Sequence, residues 1–294
     1  MSAKKKKKTK SLPTLLALIL ALLVFGYYFV SDYMAEKKAR ESWNTDGSLV
    51  MQVIDVGQGD SILLGCDGEY MLVDCGEEEY ADTVIEAVGS AKLKYMLASH
   101  PHTDHMGGMA EVIRACTPET FLMPEREHTT REFKAMLTAI EDTKCDAQYV
   151  YAGDKFTLGS ADITVVWPEE GYSNSNLNNW SAVLLVEYQG VSMLLTGDAE
   201  KGVEDDYLEY LPGRVDILKM PHHGSDTSSS EKLLSYIRPE YTVISLGTGN
   251  DYGHPHKEPM ERLQQYCSKI YRTDQSGNVT FTIKEGEISV ATER

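Results

Sequence analysis

The sequence predicts a layered α/β domain carried behind one N-terminal membrane-spanning helix. Three observations predict this. Apolar strand-length runs alternate with helical segments from about residue 48 to the end, three of those runs stop at a His or Asp, and residues 12–30 hold no charge behind a basic cluster. At 294 residues, 42% hydrophobic and 25% charged, the chain has ample material for one large core.

Lys4, Lys5, Lys6, Lys7, Lys8 and Lys10 precede the apolar run. As a helix, residues 12–30 reach about 28 Å, enough to cross the hydrocarbon layer. No A-x-A pattern closes the run; Tyr27-Tyr28-Phe29-Val30-Ser31-Asp32 follows, so an uncleaved anchor is preferred over a signal peptide. Lysines before the span place residues 1–11 in the cytoplasm as a basic tail and the rest of the chain outside. Residues 31–47 read as a polar stalk and residues 48–294 as the folded domain. The lipid bilayer is thus an expected partner, and the expected location is the cell membrane in a single pass. No obligate protein partner is indicated.

Residues 49–56 form an apolar strand ending in Asp55-Val56-Gly57-Gln58-Gly59-Asp60, and residues 61–66 and 69–74 form a hairpin about Asp67-Gly68. Glu77-Glu78-Glu79 opens a helix to about residue 88, its acids at the positive end. Residues 94–99 form a strand that delivers Ser99-His100-Pro101-His102-Thr103-Asp104-His105, after which Gly107-Gly108 turns the chain into a helix over 109–116. Three imidazoles and a carboxylate in six residues each need hydration, a partner or a cation, and a metal is the economical answer. Nitrogen and oxygen donors suit zinc, manganese or iron.

Strand 118–123 and helix 129–141 follow, then a strand meander at 148–151, 155–158 and 162–166. The loop 171–179 is polar. The hairpin 182–188 and 191–196 ends at Asp198, which serves either a metal or a helix N-cap for the segment from Ala199. Strand 215–220 ends in Pro221-His222-His223-Gly224-Ser225, and Ser228-x-x-Glu231 reads as a capping box for the helix through Ile237. Strand 241–246 leads to a loop holding His254 and His256; a helix over 259–267 and strands at 269–272, 278–283 and 287–291 close the chain. His128 and His256 read as surface residues.

Cys66, Cys75, Cys116, Cys145 and Cys267 form no CxxC, and a hairpin about Asp67-Gly68 sets Cys66 opposite Glu69 rather than Cys75. Buried free thiols are expected. Residues 1–46 hold nine Lys/Arg against four Asp/Glu, so the net charge of −17 leaves about −22 on the remainder. That balance opposes tight nonspecific binding of long nucleic acids.

The run His100-x-His102-x-Asp104-His105 resembles the HxHxDH signature of the metallo-β-lactamase superfamily. Val53-Ile54-Asp55-Val56-Gly57-Gln58-Gly59-Asp60, Val73-Asp74-Cys75-Gly76, Leu195-Thr196-Gly197-Asp198, Pro221-His222-His223-Gly224-Ser225 and Asn250-x-Tyr252-Gly253-His254-Pro255 resemble, in order, motifs of the hydrolase domain of ComEC-type competence proteins over about residues 48–291. The channel helices of those proteins are absent from this sequence, so DNA transport does not carry over.

The resemblance implies an αββα sandwich and a hydrolase with two divalent ions, Zn or Mn. His100 and His102 would bind the first ion and Asp104 and His105 the second. Asp198 would bridge them, and His223 would complete the second site with His222 reaching substrate. The superfamily's usual loop histidine is missing: Asn178 and Asn179 stand there, and His254 either fills the open position or donates a proton to a leaving group. A metal-bridging hydroxide would attack a phosphodiester, either single-stranded DNA or a cell-envelope polymer, with Asp104 or Asp198 accepting a proton and His222 or His254 stabilising charge. An ester, lactone or thioester hydrolase, or an inactive metal-binding module, are the competing readings. No flavin-binding segment supports a redox di-iron centre.

Overall fold

The computed structural model describes residues 20–22, 24–30 and 45–294. Residues 24–30 are helical, and among the described residues no helix is long and apolar enough to cross a membrane. The expected basic tail and the stalk through residue 44 lie outside the described residues, as do residues 12–19 and 23 of the expected span.

A compact unit runs from Thr45 to Arg294. It starts earlier than the expected residue 48, because Thr45 is buried and latches the first hairpin. Its carbonyl accepts from Ser48 and Asp67, and its hydroxyl accepts from Gly68 at 2.8 Å.

Strands β1 (Leu49–Val53), β2 (Ile62–Cys66), β3 (Glu69–Val73), β4 (Leu93–Leu97), β5 (Thr120–Met123) and β6 (Asp146–Tyr149) lie side by side in chain order. A second sheet holds β7 (Lys155–Leu158), β8 (Ala161–Trp167), β9 (Val183–Tyr188), β10 (Val191–Leu195), β11 (Ile217–Lys219), β12 (Tyr241–Ile244) and β13 (Lys269–Arg272). β14 (Val279–Lys284) and β15 (Glu287–Thr292) then return to the first sheet beside β1.

β3 to β6 run parallel, and so do β10 to β13. Parallel neighbours need a crossover, and helices supply it: Ala81–Val88, Met109–Cys116 and Arg131–Thr143 in the first sheet, Lys201–Tyr207, Glu231–Ile237 and Lys257–Tyr266 in the second. The inner faces of the sheets share one core that includes Met51, Leu64, Met71, Leu97, Ile163, Val186, Met193 and Phe281. On the outer face of the second sheet Leu194 and Leu218 pack with Val203, Leu233 and Leu263 of the crossover helices. Each fully buried side chain of this size contributes about 1.5–3 kcal/mol. The result is the expected sandwich, two sheets inside and helices outside, and it sets the C-terminal ends of both parallel runs at the loops that carry His and Asp.

Three local expectations are corrected. The capping residue of Glu231–Ile237 is Ser230, whose hydroxyl accepts from Leu233 at 3.1 Å; Ser228 instead donates to the Pro221 carbonyl, and Glu204 takes the Ser229 and Ser230 amides. Asp198 is no helix cap, since Lys201–Tyr207 starts after Glu200. Gly107 has an ordinary helical φ of −55°; it is needed because a Cβ there would stand 2.5 Å from the Thr103 carbonyl and 2.7 Å from the Glu78 amide. All five cysteines are free, and Cys66 faces Glu69 as the hairpin register requires.

Candidate metal centre

The centre is assembled where β3, β4, β10, β11 and β12 end. After β4 the chain passes through Ser99 and His100 into the short turn Thr103–Met106, with His102 in extended backbone conformation just before it. His100 Nε2 and His102 Nδ1 come within 3.0 Å of each other. The Ser99 hydroxyl lies 2.6 Å from Asp74, a carboxylate that only accepts, so its hydrogen is committed there and its oxygen accepts from His100 Nδ1 at 3.1 Å. Nε2 of His100 therefore offers a lone pair. Burial holds both rings below the ordinary imidazole value, His100 the more strongly with His105 beside it, which keeps them neutral.

His105 is oriented from the opposite side. Its Nδ1 lies 2.8 Å from Asp74 Oδ2, leaving Nε2 at 3.2 Å from Asp198 Oδ1 and 3.9 Å from Asp104 Oδ2. His223 Nδ1 donates to the Ser245 carbonyl at 2.8 Å, which sends its Nε2 to 3.5 Å from both Asp104 Oδ2 and Asp198 Oδ1. Asp104, His105, Asp198 and His223 thus offer four donor atoms within 4.8 Å of one another, and His100, His102 and Asp198 form a second such group. His105 Nε2, His223 Nε2 and Asp198 Oδ1 are buried with no hydrogen-bond partner. Orphaned polar atoms that converge on one point suit a divalent cation of nitrogen and oxygen preference.

The charges have a physical basis. Burial opposes the Asp104 and Asp198 carboxylates, but His105 and His223 outweigh it and hold both below the usual range. Burial likewise opposes charge on His105 and His223, and Asp198 foremost among the nearby acids pulls both upward. A bound cation would replace those protons.

Every metal residue expected from the sequence is therefore brought to one place: His100, His102, Asp104, His105, Asp198 and His223. Of the two remaining catalytic candidates, His222 Nε2 stands 3.6 Å from Asp198 Oδ2. His254 stacks on the exposed Tyr252 ring, with centroids 5.6 Å apart, and burial beside His223 lowers it to about 4. Both line a cleft of about 240 Å³ with His102, Asp104, Asp198 and His223. His256 packs edge-on against His254, with centroids 4.9 Å apart, and its Nδ1 accepts from the Asp226 amide at 3.0 Å. His128 lies near Thr130 Oγ1, at 3.3 Å.

Sequence reasoning missed the supporting residues. Asp74 orients His105. Asp60 lies 3.5 Å from His223 Nδ1 and is paired at 2.8 Å with Lys219, both fully buried. Glu200 is held at about 2: burial raises it, and bonds to His222, Asn178, Thr227 and Asn176 more than reverse this. The available signal was an acid at the end of an apolar run, as in Val73-Asp74, the same signal that marked Asp198.

An α/β sandwich with this His and Asp constellation at its strand ends defines a metal-dependent hydrolase class. The match is direct: a model of the metallo-β-lactamase superfamily covers residues 54–248. The chain belongs to that superfamily. It is similar to ComE operon protein 3 of Bacillus subtilis, 28% identical over 256 residues, covering 80% of this chain and 33% of that protein. Recombination protein 2 of Haemophilus influenzae is 30% identical over 259 residues, covering 86% of this chain and 30% of that protein. The chain thus spans about a third of these relatives. Ribonuclease Z of Mycolicibacterium paratuberculosis is 29% identical over 160 residues, covering 48% of this chain and 56% of that protein. Among solved structures, YhfI from Bacillus subtilis, a metallo-β-lactamase fold protein, superposes with a TM-score of 0.53 at 12% identity, covering 76% of this chain and 95% of that one. CmlA, a diiron β-hydroxylase from Streptomyces venezuelae, gives 0.57 at 15%, covering 79% and 53%. These likenesses concern the fold.

Proposed function

We propose that this chain is a membrane-anchored extracellular hydrolase that uses two divalent ions, Zn or Mn, to cleave phosphodiester bonds. The observation that carries this reading is the division of one carboxylate: Asp198 turns Oδ1 toward His105 and His223 and Oδ2 toward His100, so two donor groups share it. His100, His102 and Asp198 would hold one ion, and Asp104, His105, Asp198 and His223 the other. When bound, such ions supply a water of lowered pKa and a polarised substrate oxygen.

The chain's own residues do the rest. Asp74 and the Ser245 carbonyl fix which nitrogen of His105 and His223 faces the centre. Asp104, a fifth exposed, faces the cleft and can accept a proton there. His222 and His254 flank the same cleft, within reach of charge that develops on a leaving oxygen. The substrate on this reading is a phosphodiester segment such as single-stranded DNA or a cell-envelope polymer, and the net negative charge of the domain opposes long duplexes. A relative named as a ribonuclease supports phosphodiester chemistry over carbonyl chemistry. The uncharged run at residues 12–30 behind a lysine cluster supports the anchor and the outward orientation.

The test is hydrolysis of bis(p-nitrophenyl) phosphate by the full chain loaded with manganese or zinc, beside Asp198→Ala. Turnover that vanishes in the variant is expected. A folded, metal-loaded protein that is silent on the phosphodiester and active on p-nitrophenyl acetate would overturn the phosphodiester reading, and silence on both would point to an inactive module.

A further inference from the structure

The donor group around His100 has three members, one fewer than its neighbour. The polar loop before Asp198 brings no histidine, but it does bring asparagines. Asn176 and Asn178 donate to Glu200 at 2.7 and 2.9 Å, and Glu200 Oε1 lies 3.5 Å from His222 Nδ1. Thr227 Oγ1 stands 3.0 Å from that same Nδ1. With Nδ1 engaged on this side, Nε2 is the nitrogen His222 presents to the centre. It lies 3.6 Å from Asp198 Oδ2, matching the 3.7 Å of His100 Nε2 from that oxygen.

The backbone is arranged for this. His222 and His223 have φ of +49° and +51°, left-handed conformations that cost a non-glycine residue about 1–3 kcal/mol each. Two such residues in succession let neighbouring rings address the two oxygens of one carboxylate, His223 reaching Oδ1 at 3.5 Å and His222 reaching Oδ2. Strain of this kind is retained where the surrounding structure uses it.

We infer that His222 is the fourth protein donor of the His100 site, held in place by Glu200, and that the asparagine loop acts on the metal through that carboxylate in place of a loop histidine. The inference rests on the two-ion reading. It moves His222 from the substrate to the metal and leaves His254 on the cleft wall.

The test titrates the metal-free full chain with Co(II), followed by calorimetry and visible absorption. Glycine suits the left-handed backbone, so His222→Gly is the first variant, with thermal unfolding as its fold control. The unvaried chain should bind two equivalents. His222→Gly should keep one at unchanged affinity and weaken the other by more than the ~10–100-fold typical of a supporting partner, with an altered cobalt band. Added imidazole should restore both. Glu200→Gln should weaken the same equivalent by about 10–100-fold. Two unchanged equivalents in His222→Gly would overturn the inference and leave the two-ion reading intact. Weakening that imidazole does not reverse would assign His222 to packing and also overturn it. Fewer than two equivalents in the unvaried chain would overturn both.

Discussion

Replacing Gly59 by alanine should detach Asp104 from the metal centre although neither residue neighbours the other in sequence. Gly59 has φ +132°, and a Cβ there would stand 2.1 Å from the Asp104 carbonyl oxygen and 3.0 Å from its carbon. Restoring even a tight contact of about 3.2 Å requires the two backbones to part by roughly 1 Å. The amide of Asp60 would lose its 3.1 Å bond to the same carbonyl, at about 1 kcal/mol. Metal sites tolerate donor displacements of only about 0.2 Å, so affinity at the Asp104 and His105 site should fall by at least about 10-fold.

The assay is calorimetric titration of the metal-free chain with Mn or Zn, alongside urea unfolding. Gly68→Ala is the control: its φ is +83° but nothing lies within 4 Å of its Cβ, so it should lose stability through backbone strain alone and keep both ions. A folded Gly59→Ala protein that binds two equivalents as tightly as the unvaried chain would refute the argument.

Asp74→Asn keeps the size of the side chain but weakens its hold on His105, and metal affinity measured in the same titration should drop about 10–100-fold. Lys219→Met removes the ammonium paired with the buried Asp60 carboxylate, leaving only His223 near it as an ionic partner among the described residues, and should cost about 3–5 kcal/mol in urea unfolding. Glu200 carries a pH signature: a carboxylate at about 2 in the folded chain against an ordinary 4.5 stabilises the fold above pH 4.5 and loses that contribution as pH falls toward 2. At ~1.4 kcal/mol per pH unit the loss has a ceiling of about 3.5 kcal/mol, which solvent screening of this partly buried carboxylate reduces, and Glu200→Gln should flatten this part of the stability profile of the metal-free chain.

The sequence by itself determined the elements and the chemistry they carry. Period-2 apolar runs and turn residues are short-range signals, so the hairpin about Asp67-Gly68 was legible with its register, and the strand leading to His100 was legible although it stops at Leu97 rather than Ser99. The spacing of His100, His102, Asp104 and His105 within one turn made those donors legible too, because neighbours in sequence are neighbours in space.

Tertiary structure decided what each donor faces. His105 takes its orientation from Asp74, 31 residues earlier, and His223 from the carbonyl of Ser245, 22 residues later. Nothing local signals either bond, since a backbone carbonyl has no sequence identity and an acid at a strand end has several fates. The capping residue moved to Ser230 for the same reason, through Glu204 from another helix. Glu200 and its asparagines fix His222 from a loop with no metal signature of its own. Side-chain identity is written in the chain, but which atom of a ring is free to bind is set by partners that only packing brings within 3 Å.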